Sequence, residues 1–245
     1  MLAIFKKDFT SYFTNTLGYI VLGMYLLLSG FFFWLVCFQS AYNSLVDVIN
    51  SMLYVVFFLL PLVTMKSFAE EKRQKTDQAL LTAPVKIWEI VLGKYMSAMA
   101  LYLICNMVYF LYAFVLQVTV AGVTIAWGKL FAGLIGSVML GAAILAINLF
   151  YSSLTEYQII AAVVGLGTGL FFMIYDSVLG SVKNFIYSLF QVEYKFIVLD
   201  KLSLTTHYMN FINGMFNPAD LVFYLTWIGL FLFLTGRVLD KKRWA

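Results

Sequence analysis

The sequence predicts an all-α polytopic membrane protein with six transmembrane helices, and three observations carry that prediction. Hydrophobic residues make up 63% of the 245 residues and charged residues only 11%, where a soluble domain carries about 25% charged. Mean hydropathy is +0.91, so the chain cannot clothe itself in polar groups and its solvent is lipid. Long apolar runs recur along the chain, and six spans of about 20 residues each use up most of it. The chain therefore reads as a single transmembrane domain over residues 1–245, with no large soluble domain.

The elements follow in order. Residues 1–16 predict an amphipathic interfacial helix: Ile4, Phe5, Phe9, Tyr12 and Phe13 recur at helical spacing with Lys6, Lys7 and Asp8 between them. The apolar run after it exceeds a signal h-region and lacks a small-residue cleavage site, so it is expected to be retained. The first span is read as Leu17 to Phe38, followed by a polar stretch, Gln39 to Asp47. The second is Val48 to Met65, interrupted by Pro61, which a span tolerates when neighbours satisfy the freed carbonyl. A charged segment, Lys66 to Lys86, comes next. In it Thr76 is placed to cap a short helix whose first turn holds Asp77 and which Pro84 stops.

The third span is read as Ile90 to Val118, with Trp88 and Lys94 as interfacial anchors. A turn at Gly122 leads through Trp127 and Lys129 to the fourth span, Leu130 to Tyr151. The polar turn Ser152 to Gln158 precedes the fifth, Ile159 to Tyr175. Residues 176–220 are too polar to span and too aromatic for a free loop, so they predict short helices held at the outer membrane surface. In them Lys183, Lys195, Asp200 and Lys201 face water, and Asp220 suits the N-terminus of the sixth span, Leu221 to Leu234.

Charge orients the chain. Lys6, Lys7, Lys66, Lys72, Arg73, Lys75, Lys86, Lys94, Arg237, Lys241, Lys242 and Arg243 fall on one side; only Lys129, Lys183, Lys195 and Lys201 fall on the other. The positive-inside rule then sets both termini in the cytoplasm. Small residues mark helix contacts: Gly133, Ser137 and Gly141 in the fourth span, and Gly165 and Gly169 in the fifth.

Several classes of function are disfavoured. No span carries an internal charge suited to a proton relay; Asn106, Gln117 and Asn148 are the main polar exceptions. No G-x-x-x-x-G-K-[ST] phosphate loop is present. His207 has no second metal ligand or nucleophile spaced near it, which favours a structural role. The scattered methionines read as apolar filling rather than a copper site. Cys37 and Cys105 fall in separate apolar runs and predict neither a disulfide scaffold nor a metal site. A membrane-embedded enzyme would need paired carboxylates or a nucleophile with its base, and none is visible.

The strip from Lys66 to Lys94 resembles the cytosolic loop of ABC-2 type permeases, in which two acidic residues, a basic stretch, Gly-Thr, Leu-Leu, Pro and Gly-Lys succeed one another. Glu70, Glu71, Thr76, Leu80, Leu81, Pro84, Gly93 and Lys94 match; Lys75 stands where Gly is usual, so the following helix is expected to start earlier. Phe5 to Tyr19 and Ser152 to Gln158 resemble the gliding-motility-associated branch of that family, with Asn15-Thr16 replacing a Ser-Pro and Tyr157 an Asn.

The resemblance implies the permease subunit of an ATP-driven ABC exporter in the bacterial plasma (inner) membrane. Two permeases, identical or homologous, pair around a path, and a dimer of cytosolic ABC ATPase subunits binds the ATP and Mg. An accessory extracytoplasmic membrane protein is a further implied partner, and nucleic acid is not. Residues 66–87 become the coupling segment, with Glu70, Glu71, Thr76, Leu80, Leu81 and Pro84 as contacts. Ser153, Thr155 and Glu156 form a second contact, and residues 176–220 an extracellular re-entrant segment. The alternative is a non-transporting mechanotransmitting or sensory subunit driven by the same type of ATPase, which flux into sealed vesicles would distinguish.

Overall fold

The computed structural model describes residues 1–39, 44–76, 85–119, 125–190 and 203–244; for Asp176, residues 183–190 and Trp244 it describes the backbone alone. The described residues form helices and no strand: α1 (Leu2–Thr14), α2 (Thr16–Phe33) with a π-helical extension Trp34–Gln39, α3 (Leu45–Arg73), α4 (Ile87–Asn106), α5 (Val108–Thr119), α6 (Trp127–Leu154), α7 (Gln158–Phe190), α8 (Leu204–Ile212) and α9 (Pro218–Trp244). Among them 6 stretches are long and apolar enough to cross a membrane: Thr16–Gln39, Leu45–Arg73, Ile87–Thr119, Trp127–Leu154, Gln158–Val182 and Pro218–Arg243.

Asn15 adopts an extended backbone and separates α1 from α2. The reversal is tight, and a Cβ on Gly18 would stand 2.3 Å from the Tyr12 carbonyl oxygen. Phe5, Phe9 and Phe13 stack along one side of α1, with centroids 5.6 and 5.2 Å apart. Phe13 also packs on the core, together with Ile4 and Tyr12.

The centre of the molecule is α6, against which α3, α4, α7, α8 and α9 all pack. Small residues make this possible. The Tyr102 ring from α4 occupies the space a Cβ on Gly141 would need, 2.2 Å away, and Phe211 from α8 does the same at Gly136, at 2.6 Å. The tyrosines buried here have their hydroxyls occupied, as such groups must inside a membrane. Tyr25 meets Tyr109 at 3.2 Å, Tyr95 donates to the Ala142 carbonyl at 3.1 Å, and Tyr102 meets Ser137 at 2.8 Å.

The structure corrects several expected boundaries. The second helix does not stop at Met65 but continues to Arg73. The third span begins at Ile87 and is interrupted at Met107. There the Asn106 side chain donates to the Tyr102 carbonyl four residues back and accepts from Ser137, competing with the backbone ladder. The fifth helix does not end at Tyr175 but runs to Phe190: Asp176 and Ser177 do not break it, and Ser181 donates to the Ser177 carbonyl at 2.9 Å. The expectations for Lys195, Asp200 and Lys201 lie outside the described residues, as does the side chain of Lys183.

Within residues 176–220, α8 is inserted among the spans rather than laid flat on them. Leu204, Tyr208, Phe211 and Ile212 are buried, and Tyr208 donates to the Ile49 carbonyl at 3.1 Å. Pro218 opens α9, where its missing N–H costs nothing. Asp220 does more than face the helix dipole: it is buried and accepts from Asn210 at 2.9 Å and pairs with His207. The His207 ring also stacks on Phe223, with centroids 4.1 Å apart.

Candidate functional site

Three elements converge where α3 leaves the membrane. α3 ends at Arg73 in a turn whose hydrogen bonds define a Schellman motif: Thr76 N–H to Glu71 carbonyl and Lys75 N–H to Lys72 carbonyl, both 3.0 Å. Such a turn needs a left-handed residue, and Lys75 supplies it with φ 56°. Lys75 thus terminates the helix before it, and the start of the helix expected to follow lies outside the described residues. Thr76 Oγ1 adds a second bond to the Glu71 carbonyl, at 3.3 Å.

Beside this end lies Lys94, a lysine only 2% exposed. Its ammonium stands 3.2 Å from Asp8 on α1 and 3.0 Å from Glu71 on α3, and donates to the Ser67 carbonyl at 2.8 Å. It also sits 5.1 Å from the centroid of the Phe68 ring. The charge is thus fully partnered, as burial requires. Lys7 bonds the other Glu71 oxygen at 3.2 Å. Gly93, the neighbour of Lys94, lets α1 approach: a Cβ there would stand 3.1 Å from Ile4. Tyr12 donates to the Val63 carbonyl at 3.3 Å. Burial, with Asp8 nearby, pushes its phenol pKa up, so it stays a donor. The cleft left between α1, α3 and α4 is about 370 Å³ and is lined by Lys7, Asp8, Lys66, Glu70, Glu71 and Lys94 among others.

The end of α6 is bonded to the same stretch of α3. Ser152 Oγ accepts from the Phe68 and Ala69 N–H groups at 3.1 and 3.2 Å and donates to the Met65 carbonyl at 3.3 Å. Lys72, buried, donates to the Ser153 carbonyl. Ser153 Oγ turns back to the Phe150 carbonyl at 2.7 Å. Thr155 accepts from the Tyr157 N–H at 3.1 Å, shaping the turn into α7, and Glu156 is exposed on it.

The structure therefore brings Glu70, Glu71, Thr76 and Ser153 into one neighbourhood and sets Thr155 and Glu156 on the turn after α6. Leu80, Leu81 and Pro84 lie outside the described residues. Sequence reasoning missed Asp8, held Lys72 and Ser152 only within the two coupling stretches without singling them out, and used Lys94 as an interfacial anchor and a motif match. The signal available for Asp8 was its place as the one acid among the lysines of an amphipathic helix. Chemically, the site holds carboxylates to ammonium groups and hydroxyls to backbone. Among the described residues no group of His, Cys, Asp and Glu is disposed to hold a metal ion.

A family model described as "ABC-2 family transporter protein" matches residues 2–242. No curated protein matches the chain.

Proposed function

Because the chain belongs to the ABC-2 transporter family, it is a membrane permease subunit of an ABC transporter, and we propose that it works as an exporter, coupling ATP hydrolysis by a separate cytosolic ATPase to movement of its cargo. The reading extends to the gliding-motility-associated branch, on the strength of Phe5 to Tyr19 and Ser152 to Gln158. It sets the chain in a bacterial inner membrane with both termini cytoplasmic, paired with a second permease above an ATPase dimer that holds the ATP and Mg.

One observation supports coupling through this junction above others. The end of α3 is bonded to α1 and α4 through Glu71 and Lys94, and to α6 through Ser152 and Lys72. A push on residues 74–84 or on the Ser152 to Gln158 turn therefore reaches the amphipathic helix and the second, third and fourth spans together. Glu70, Glu71 and Thr76 frame the receiving surface, and Leu80, Leu81 and Pro84 supply an apolar anchor, with Ser153, Thr155 and Glu156 as the second contact.

Replacement of both Leu80 and Leu81 by Asp tests this. Loss of a buried anchor at a hot spot costs about 2 kcal/mol or more of binding. ATPase stimulation by the reconstituted permease should fall about 30-fold or more in affinity while the permease keeps its wild-type melting transition. Unchanged stimulation and binding would remove this segment from the interface.

A further inference from the structure

The start of α4 and the end of α9 meet in a strip that the coupling junction does not use. The Trp88 ring lies 3.7 Å from where a Cβ on Gly236 would stand, an ordinary packing distance between the two helices. Trp88 packs on Phe233 with centroids 6.1 Å apart, and the Arg237 guanidinium stands 5.2 Å from the Phe233 centroid. Arg243 donates to the Val85 carbonyl at 3.3 Å, tying the far end. Leu230, Phe233, Arg237 and Lys241 recur at helical spacing and share one exposed face of α9. Lys86, Trp88 and Arg243 beside them are exposed too.

The charge on this strip is unbalanced. Among the described residues, Lys86, Arg237, Lys241, Lys242 and Arg243 make no ion pair. Glu89, the nearest acid on α4, pairs with the Met1 amino group at 3.4 Å. Asp240 is the one acid among the last turns of α9.

We propose that this strip binds the headgroup of an anionic phospholipid. Its chemistry changes along α9 as a lipid's does. Leu230 and Phe233 offer an apolar bed for acyl chains, Trp88 lies at the level where interfacial aromatics collect, and Arg237 and Lys241 follow where the phosphate would lie. The Arg237 guanidinium presents a planar fork to phosphate oxygens. A soluble acidic partner would meet the cations but would leave Trp88, Phe233 and Leu230 unaccounted for. Basic clusters just cytoplasmic of a span recognise anionic lipid at about fivefold per cation.

The test reads Trp88 directly. A full-length variant retaining it as sole tryptophan (Trp34, Trp127, Trp227 and Trp244 changed to Phe) is reconstituted in phosphatidylcholine vesicles. These are doped with chain-brominated phosphatidylglycerol or chain-brominated phosphatidylcholine. Phosphatidylglycerol should quench selectively, and quenching by brominated phosphatidylcholine confirms that the variant is folded into the bilayer. Arg237→Gln with Lys241→Gln should lower the selectivity about 25-fold. The control pair Lys6→Gln with Arg73→Gln, which removes as much charge outside the strip, should leave it nearly intact. Equal quenching by both lipids overturns the proposal. So does an equal loss in the control pair, which would mean diffuse attraction. A selectivity that survives the Arg237 and Lys241 changes while ATPase binding is lost would assign the strip to a protein partner instead, and equally overturns it.

Discussion

Lys75 shows how a single residue can contradict local preference for the sake of a boundary. Its φ of 56° belongs to a region where a side chain costs about 1–2 kcal/mol, yet the two 3.0 Å bonds of the turn at the end of α3 require that conformation. Lys75→Gly should relieve the strain, though glycine loses more freedom on folding, leaving a net gain of about 0.5–1 kcal/mol. It should raise the melting temperature of the purified permease, whereas Lys75→Val should lower it. A fall in melting temperature on Lys75→Gly would show that the lysine side chain supports the turn in some other way. The departure from glycine was visible in the sequence. Its meaning was not, because a left-handed residue is assigned to the helix before or after it only by the hydrogen bonds it closes. The Lys94 pairs with Asp8 and Glu71 were hidden for a related reason: Asp8 is 86 residues away in the chain, and no local spacing links them.

At the scale of elements, hydropathy found the six spans but not where the helices end. A helix continues for as long as its backbone bonds and side-chain neighbours hold it, whatever the solvent. α3 therefore crosses from apolar Met65 to charged Arg73 without a break, held by Ser152 and Lys72, and α7 passes Asp176. The small-residue spacing of the fifth span was legible as a contact, but its partner was not. That partner is α3 at its proline. Pro61 has no N–H for the Phe57 carbonyl, and Gly169 lies against that oxygen, 3.1 Å from where a Cβ would stand. One turn earlier, a Cβ on Gly165 would fall 2.2 Å from Asn148 Oδ1 and 2.9 Å from Pro61 Cβ. Gly165→Ala should cost about 1–3 kcal/mol by overpacking. Asn148→Ala opens the tighter of the two contacts, so the double variant should recover part of that loss, with a coupling of about 1 kcal/mol. The readout is the melting temperature of the four proteins of the cycle. Strict additivity would mean that Pro61, not Asn148, sets the approach of α7.

For the molecule as a whole, the proposed coupling role would make α3 a lever, held by its neighbours near both ends. α3 is one uninterrupted helix from Leu45 to Arg73, and at about 1.5 Å per residue it is long enough to cross the bilayer core and extend beyond it. Near its C-terminal end α6 grips it through Ser152, whose hydroxyl bonds the Phe68 and Ala69 N–H groups and the Met65 carbonyl. Near its other end α8 grips it through the Tyr208 bond to the Ile49 carbonyl. On the proposed coupling role, displacement at Gln74 or Thr76 is handed to α6 through the Ser152 bonds and the Lys72 bond to the Ser153 carbonyl. Ser152→Ala removes all three bonds at once but leaves Glu70, Glu71 and the segment after Thr76 unchanged. Each bond is worth about 1 kcal/mol, so the permease should still fold and still stimulate its ATPase. Transport per ATP should fall, because part of each stroke is lost as slip between α3 and α6. Ser152→Thr, which keeps the hydroxyl, should restore most of it if the added methyl is accommodated. The measurement is cargo flux against phosphate release in the same sealed vesicles. A Ser152→Ala permease with an unchanged ratio would show that the motion passes without Ser152, through the Lys72 bond to the Ser153 carbonyl or the Lys94 junction to α4.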